Sequence, residues 1–313
     1  MFRLFAIVLL CAGCAEIAET SDANVSPVLV SDPLEITRVL AADDMEGREA
    51  GTAGGEKARE WLLVQMRARP FELVVEDFQH VFEFAPRIDE PTITGVNLIG
   101  LIPGTSVGEG PLMVVTAHYD HVGVREGEVF NGADDNASGV AGALAIADHF
   151  FANPPEHDVV IALLDAEEKG LRGAYAMMED QVIEPDRIAL NMNLDMLSKN
   201  DMRELYAAGS YHTPSLRPLL DDLALNVPVE LKQGHDRPEL GFDDWTLQSD
   251  HGVFHRVGIP FVYFGVEDHP DYHQPTDVYE TIPEAFFVDS VRTVVAAAEV
   301  FDAELSSIET AKE

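Results

Sequence analysis

Five short segments, spread over more than half of this 313-residue chain, carry side chains able to hold metal ions. They are His118-Tyr119-Asp120, Gly132-Ala133-Asp134-Asp135-Asn136, Asp165-Ala166-Glu167-Glu168, Asn193-Leu194-Asp195-Met196 and Tyr272-His273-Gln274-Pro275-Thr276-Asp277. In order they offer an imidazole, a carboxylate, a carboxylate pair, a carboxylate and an imidazole, the nitrogen and oxygen donors that borderline-soft Zn²⁺ accepts. One bridging carboxylate, with one His and one carboxylate per ion, would give each of two ions three protein ligands and leave room for water. Two cations about 3.5–4 Å apart can turn a water into hydroxide, polarise a carbonyl and stabilise a tetrahedral oxyanion. A free carboxylate beside them can take the water's proton and deliver it to a leaving amine.

Taken singly, each segment has a plainer reading. His-x-Asp is commonly a hydrogen-bonded pair, Glu-Glu a solvated face, and Asp-Asp-Asn before a small-residue helix an N-terminal cap. Asp195 differs, because it closes the largely apolar run 188–194, where an unpaired charge is costly and a metal is a good partner. His269 and His273 are four apart, but Pro270 and the surrounding turn residues oppose a helix, so His269 is left out of the ligand set. His121, three after His118, is a decoy ligand candidate. His80, His149, His157, His212, His235 and His255 show no carboxylate constellation around them and read as packed or solvated.

In order and local wording the five segments resemble the M28 family of zinc aminopeptidases, from about Arg48 to the last helix. The resemblance implies two Zn²⁺ ions, with Co²⁺ or Mn²⁺ as substitutes on the same donors. It implies His118 and Asp195 on one ion, Glu168 and His273 on the other, Asp135 bridging them with a cis Asp135-Asn136 bond, and Glu167 as general base. Asp134 is the alternative bridge if the alignment shifts by one. Adjacent residues at a strand end point in different directions, which lets Glu168 face metal while Glu167 faces substrate. Asp120 is placed to accept the second N–H of the His118 ring and fix its tautomer. Ser249-Asp250-His251 matches a family tripeptide, which makes Asp250 a carboxylate behind the ligands or one for the substrate amine, unless it only orders its loop. Tyr263 and Tyr272 are oxyanion-donor candidates by nearness in sequence.

The family resemblance implies removal of N-terminal residues from peptides with a free N-terminus. The same scaffold also hosts carboxypeptidases for acidic C-termini and single-zinc glutaminyl cyclases. A full five-ligand set argues against the cyclase. A carboxypeptidase needs cationic pocket residues, for which only Lys199, Arg203, Lys232, Arg237 and Arg256 lie near suitable loops. A non-catalytic, peptide-binding surface lipoprotein is the alternative from a different class.

The expected fold is α/β, a mixed, largely parallel central β-sheet flanked by helices, the di-zinc phosphorylase/hydrolase-like exopeptidase fold. Thr52 can cap a helix over 53–68 whose apolar face is Ala58, Trp61, Leu62 and Met66. Residues 73–84 alternate like an edge hairpin. Strands are expected over 96–101, 112–117, 159–164 and 259–264, and helices over 137–151, 214–225 and 283–305. Placing His118 and Glu167-Glu168 just after strand ends follows the rule that open α/β sheets bind ligands at the carboxyl edge. The stretch 226–248, with Gly234, Pro238, Gly241, Phe242 and Trp245, reads as a loop, either a pocket rim or a surface excursion.

The first thirteen residues carry one arginine, then Phe5-Ala6-Ile7-Val8-Leu9-Leu10 and Ala12-Gly13-Cys14, resembling a lipoprotein signal cut before a lipid-modified cysteine. Cys11 stands where a large aliphatic residue is usual, which keeps ordinary secretion as the alternative. The reading is a signal over 1–13, a tether over 14–31 and one peptidase domain over 32–313, exported and lipid-anchored at a bacterial envelope membrane. Both cysteines sit in the leader, which excludes thiol-protease chemistry and an internal disulfide. A formal charge of −36 argues against nucleic acid and against direct adhesion to anionic lipid, so membrane contact runs only through the Cys14 anchor.

Overall fold

Residues Leu112–His118 are buried without exception, and Asp158–Leu164 and Ile188–Leu194 nearly so. Unbroken apolar runs of this kind suit parallel strands covered by helices on both faces. The computed structural model, which describes residues 29–87, 89–106 and 110–308, arranges them in that way. The expected signal (1–13) and nearly all of the expected tether (14–31) lie outside the described residues. Among the described residues no helix is long and apolar enough to cross a membrane.

The strands are β1 (Glu72–Leu73), β2 (Gln79–Phe84), β3 (Ile93–Ile102), β4 (Leu112–His118), β5 (Gly123–Arg125), β6 (Glu128–Phe130), β7 (Asp158–Leu164), β8 (Ile188–Leu194), β9 (Glu204–Ala208), β10 (Glu230–Gln233) and β11 (Phe261–Gly265). The main sheet runs β1-β3-β7-β4-β8-β11-β9-β10, with β2 also paired to β3, while β5 and β6 form a separate ribbon. Its centre, β7-β4-β8-β11, is parallel, and antiparallel pairings appear on either side at β3·β7 and β11·β9. The register sets His118 opposite Leu164, Thr116 opposite Asn193 and Leu194 opposite Phe264. Three parallel strands therefore end at one level and deliver the segments that follow them to one edge.

The helices are α1 (Pro33–Leu40), α2 (Ala53–Arg67), α3 (Gly139–Ala152), α4 (Arg172–Glu179), α5 (Leu216–Ala224), α6 (His251–Arg256) and α7 (Glu284–Ala303). Helices α1, α2, α3, α5 and α7 cover one face and α4 and α6 the other. Alternation along β4 serves both layers: Met113, Val115 and Ala117 enter the larger core, Leu112 and Val114 the smaller. Each such buried Val, Leu or Met contributes about 1.5–3 kcal/mol of burial free energy. Thr52 caps α2 as expected, its hydroxyl accepting from the Gly55 amide, and Ala58, Leu62 and Met66 are buried while Trp61 is half-buried.

Three expectations need correction. The segment 73–84 is not a hairpin: β1 and β2 each pair with the ten-residue β3, and a turn with Asp77 and Phe78 at positive φ separates them. The alternation only required one covered face, which a longer neighbour supplies to both. The stretch 226–248 is not all loop, because β10 pairs in parallel with β9. The helix expected from 137 starts at Gly139, since Ala133–Ser138 winds into a wider, kinked π turn.

Candidate active site

The carboxyl edge gathers all five expected ligand positions. His118 is the last residue of β4, Asp195 follows β8, Glu167 and Glu168 follow β7 after Ala166, and Asp135 sits in the turn before α3. His273 arrives on the loop after β11. Ala166, Met196 and His273 adopt positive φ, at 60°, 63° and 52°. A left-handed conformation costs a non-glycine residue about 1–2 kcal/mol, and such residues persist where surrounding structure demands them, as at ligand sites.

Two donor clusters share one residue. His118, Asp135 and Asp195 form the first; His121, Asp135, Glu168 and His273 form the second. Asp135 splits its oxygens between them, Oδ1 lying 3.4 Å from His118 Nε2 and Oδ2 3.0 Å from His273 Nε2. Asp195 Oδ1 is 3.4 Å from His118 Nε2, and Glu168 Oε1 is 3.2 Å from His273 Nε2. A cation held at about 2.0–2.1 Å by tetrahedral donors keeps those donors about 3.3 Å apart, so these spacings fit. Buried and without a hydrogen-bond partner among the described residues are Asp195 Oδ1, Glu168 Oε1 and both ring nitrogens of His121. Orphaned buried acceptors converging on two points are what metal ligands look like when protein atoms alone are counted.

Asp134, the alternative bridge, is engaged elsewhere: its carboxylate accepts from the Ser198 amide and hydroxyl, both at 2.7 Å, and meets His269 Nε2 at 2.9 Å. The Asp135-Asn136 bond is cis. Asn136 holds this turn against the β8 end, its Nδ2 donating to the Leu194 carbonyl and its Oδ1 accepting from the Met196 amide. Asp277 accepts from the Asp134 and Asp135 amides at 3.1 Å, with burial pushing its pKa up to about 6. The last segment thus supplies a ligand and, four residues on, a clamp for the bridging residue.

Asp120 does not play the expected part. Its backbone carbonyl meets His118 Nδ1 at 3.1 Å while its carboxylate stands 3.7 Å away and accepts from the Glu167 amide at 2.9 Å. The side chain spans from β4 to the β7 loop because that loop's amides have no strand partner. Asp250 is wholly buried, so it cannot meet a substrate amine. Burial and the nearby Asp195 charge, opposed by His118, push its pKa up to about 7. Glu167 lines the cleft, and in the metal-free protein burial holds its carboxyl well above the usual range, with His118 opposing and Asp250, Glu168 and Asp195 adding to the rise. Burial would raise Glu168 too, but the His121 and His273 rings outweigh it and hold that carboxyl low.

Tyr263 and Tyr272 both line the cleft with Trp245 and Gln248, so the 226–248 stretch does form its rim. Tyr263 Oη donates to the Asp195 carbonyl at 3.1 Å, whereas Tyr272 stacks on the His273 ring at 4.1 Å. Several histidines outside the site, expected to have no carboxylate constellation around them, do meet carboxylates: His80 meets Asp180, His157 meets Asp302, and His235 meets Asp243 and Glu267. None joins a three-donor cluster among the described residues.

Sequence reasoning missed Arg48. Fully buried, its guanidinium donates to the carbonyls of Leu40, Tyr119, Asn131, Gly132 and Asp135, tying the chain before α2 to the β4 end and the metal-binding turn. No local pattern marks such a residue, because its partners are backbone carbonyls distant in sequence.

A mixed, mainly parallel sheet with two merged donor clusters at its carboxyl edge defines a metal-dependent hydrolase architecture. Residues 97–298 match the model of peptidase family M28, and the chain belongs to that family of zinc metallopeptidases. It is 29% identical over 218 residues to aminopeptidase YwaD of Bacillus subtilis, covering 65% of this chain and 44% of that protein. It is 31% identical over 135 residues to a probable zinc metalloprotease of Pyrenophora tritici-repentis, covering 40% and 27%. The chain thus spans less than half the length of these curated relatives. Among solved structures, the Bacillus subtilis zinc aminopeptidase BSAP superposes with TM-score 0.54 at 26% identity over 72% of this chain and 52% of that one. Porphyromonas gingivalis glutaminyl cyclase superposes with TM-score 0.68 at 17% identity over 89% and 99%, a likeness of fold.

Proposed function

We propose that this chain is a co-catalytic di-zinc aminopeptidase that removes N-terminal residues from peptides. The observation that carries the reading is Asp135, with one carboxylate oxygen in each donor cluster and Glu167 lining the same cleft. His118 and Asp195 would hold one ion, Glu168 and His273 the other, and Asp135 both. Two such ions supply Lewis acidity, acidifying a water and drawing charge from the scissile carbonyl.

The protein's own residues do the rest. Glu167 takes a proton from the attacking water and hands it to the leaving nitrogen as the C–N bond breaks, so one water is consumed and one carboxyl and one amine appear. Asp134, Asn136 and Asp277 fix the ligand turn, and Trp245, Tyr263 and Tyr272 wall the cleft with apolar rings. Besides the carboxylates that would hold metal or move the proton, Asp268 lines the cleft, and among the described residues no Lys or Arg does. That balance favours a substrate ammonium over a terminal carboxylate. The likeness to proteins named aminopeptidase supports the same choice. In the cell the enzyme is exported and held at a membrane by lipid on Cys14, as the leader's wording suggests.

Peptides with free and acetylated N-termini test the proposal. Zinc-loaded protein is expected to release the first residue from the free peptide only. Equal cleavage of both overturns the aminopeptidase reading, and closure of an N-terminal glutamine without hydrolysis points to the cyclase reaction.

A further inference from the structure

We infer that His121 is a metal ligand, which makes the second cluster a four-ligand site and the pair of sites unequal. The inference rests on the metal-binding reading above but assigns a residue and an asymmetry which that reading lacks. His121 lies three residues beyond the end of β4, in the turn that leads to β5. Its ring is wholly buried, and both nitrogens lack a hydrogen-bond partner among the described residues. Burying an imidazole with neither nitrogen satisfied costs about 1–3 kcal/mol for each unpaired group, so an unmade bond needs an account.

The direction of the ring supplies one. His121 Nδ1 is 2.9 Å from Glu168 Oε1 and 3.6 Å from Asp135 Oδ2, and the approach to Glu168 lacks hydrogen-bond geometry. Those same two oxygens lie 3.2 Å and 3.0 Å from His273 Nε2. Four donor atoms, two nitrogens and two oxygens, thus lie within 4.8 Å of one another, and the nitrogen–oxygen pairs among them, at 2.9–3.6 Å, bracket a tetrahedral edge of about 3.3 Å. The ring is fixed in place by close packing. Gly132, at φ 55°, leaves room for it, since a Cβ there would come within 2.5 Å of the His121 ring carbons. His121 and His273 meet edge to face with centroids 5.6 Å apart, so the two imidazoles converge instead of stacking.

The consequence is a division of labour. A site with four protein ligands is closed, as structural zinc sites are, whereas three ligands leave a position for water or substrate. The His121 cluster would hold its ion firmly with little room for a further ligand. The His118 cluster, with Asp135 and Asp195, keeps the open position and shares the cleft with Glu167. The first equivalent of zinc therefore goes to the His121 cluster and the second binds more weakly.

The test is zinc titration against a competing chelator, with X-ray absorption of protein holding one equivalent. Wild-type protein is expected to bind two equivalents in separable steps, with two imidazoles on the first ion. His121→Ala and His121→Gln are both expected to weaken the first step more than about a hundredfold, beyond the 10–100-fold cost of losing an outer hydrogen-bond partner. Gln can still donate a hydrogen bond to Glu168, so full affinity in His121→Gln means that the ring only positions that carboxylate, and overturns the inference. A single imidazole on the first ion in wild-type protein overturns it without any variant. If wild-type protein binds two zincs and both variants do too with unchanged affinity, only this inference fails; if wild-type protein takes up no zinc, the metallopeptidase mechanism fails with it.

Discussion

Replacing Arg48 tests whether the ligand turn is held from behind. The guanidinium has five N–H donors, and five backbone carbonyls surround it. Tyr119, Leu40 and Gly132 accept at 2.8, 2.8 and 2.9 Å, Asn131 more closely, and Asp135 at 3.5 Å. Burial lowers the Arg48 pKa to about 10, with Asp135 and Asp277 opposing the fall, so carrying the charge inside is costly and the carbonyls must offset it. Arg48→Met removes that desolvation cost but leaves four well-bonded carbonyls in a dry interior without donors. At about 1 kcal/mol for each orphaned acceptor the loss is about 4 kcal/mol. For a domain of this size that is a fall of about 8–16 °C in Tm. Arg48→Lys supplies three donors instead of five and is expected to lose about half as much. Urea unfolding of both variants, with and without zinc, reads the effect. The reasoning is refuted if Met costs less than about 1 kcal/mol, or if Lys costs more than Met.

Glu167→Gln is expected to keep both zincs by elemental analysis while losing about 10²–10⁴ in kcat; near-normal turnover would remove it from the base role. Asp277→Asn leaves one oxygen to accept from the Asp134 and Asp135 amides and sets an N–H against the Asp134 amide, and zinc affinity should fall by about 10–100-fold in a chelator competition; unchanged affinity would make the clamp dispensable. Thr52→Ala should cost about 1 kcal/mol through the lost α2 cap and leave metal binding intact, as a control for general destabilisation. The metal-free protein should become less stable as pH rises. Asp250 holds its proton more tightly folded, at about 7, than unfolded, near 4, so its contribution is whole below about pH 4 and gone above about 7. His273, raised to about 10 by Asp135 and Glu168 against the lowering effect of burial, has the same sign over about pH 6.5–10. Glu168, held low, has the opposite sign, but its contribution is already complete above about pH 5. Thermal melts in chelator at pH 5.5 and 8.5 should show the lower Tm at 8.5, with zinc recovering the difference; a higher Tm at 8.5 in chelator would contradict the assigned shifts.

What could be read without a structure followed local rules. Continuous apolar runs announced β4, β7 and β11, a capping threonine announced α2, and the donor residues stood just beyond strand ends, where an open sheet binds ligands. The residue types at those ends marked the segments, and the resemblance to the M28 family named the five positions that converge. Long-range relations were not legible. Whether Asp134 or Asp135 faces both clusters depends on the turn before α3 and on Ser198 and His269, which occupy the Asp134 carboxylate from other loops. Asp120 and His118 are two residues apart, and spacing alone could not reveal that the carboxylate turns to the β7 loop while its carbonyl serves the ring. The edge segment 73–84 alternates as a hairpin would, yet its partner is β3, because periodicity specifies a covered face without naming the neighbour that covers it. Arg48 and His121 lay furthest from view. One is defined by carbonyls up to 87 positions away, the other by a glycine that yields space for its ring. Sequence by itself determined the chemistry available and the strands that carry it; tertiary structure alone decided which donors share an ion, since that depends on ångström-scale distances between residues the chain keeps far apart.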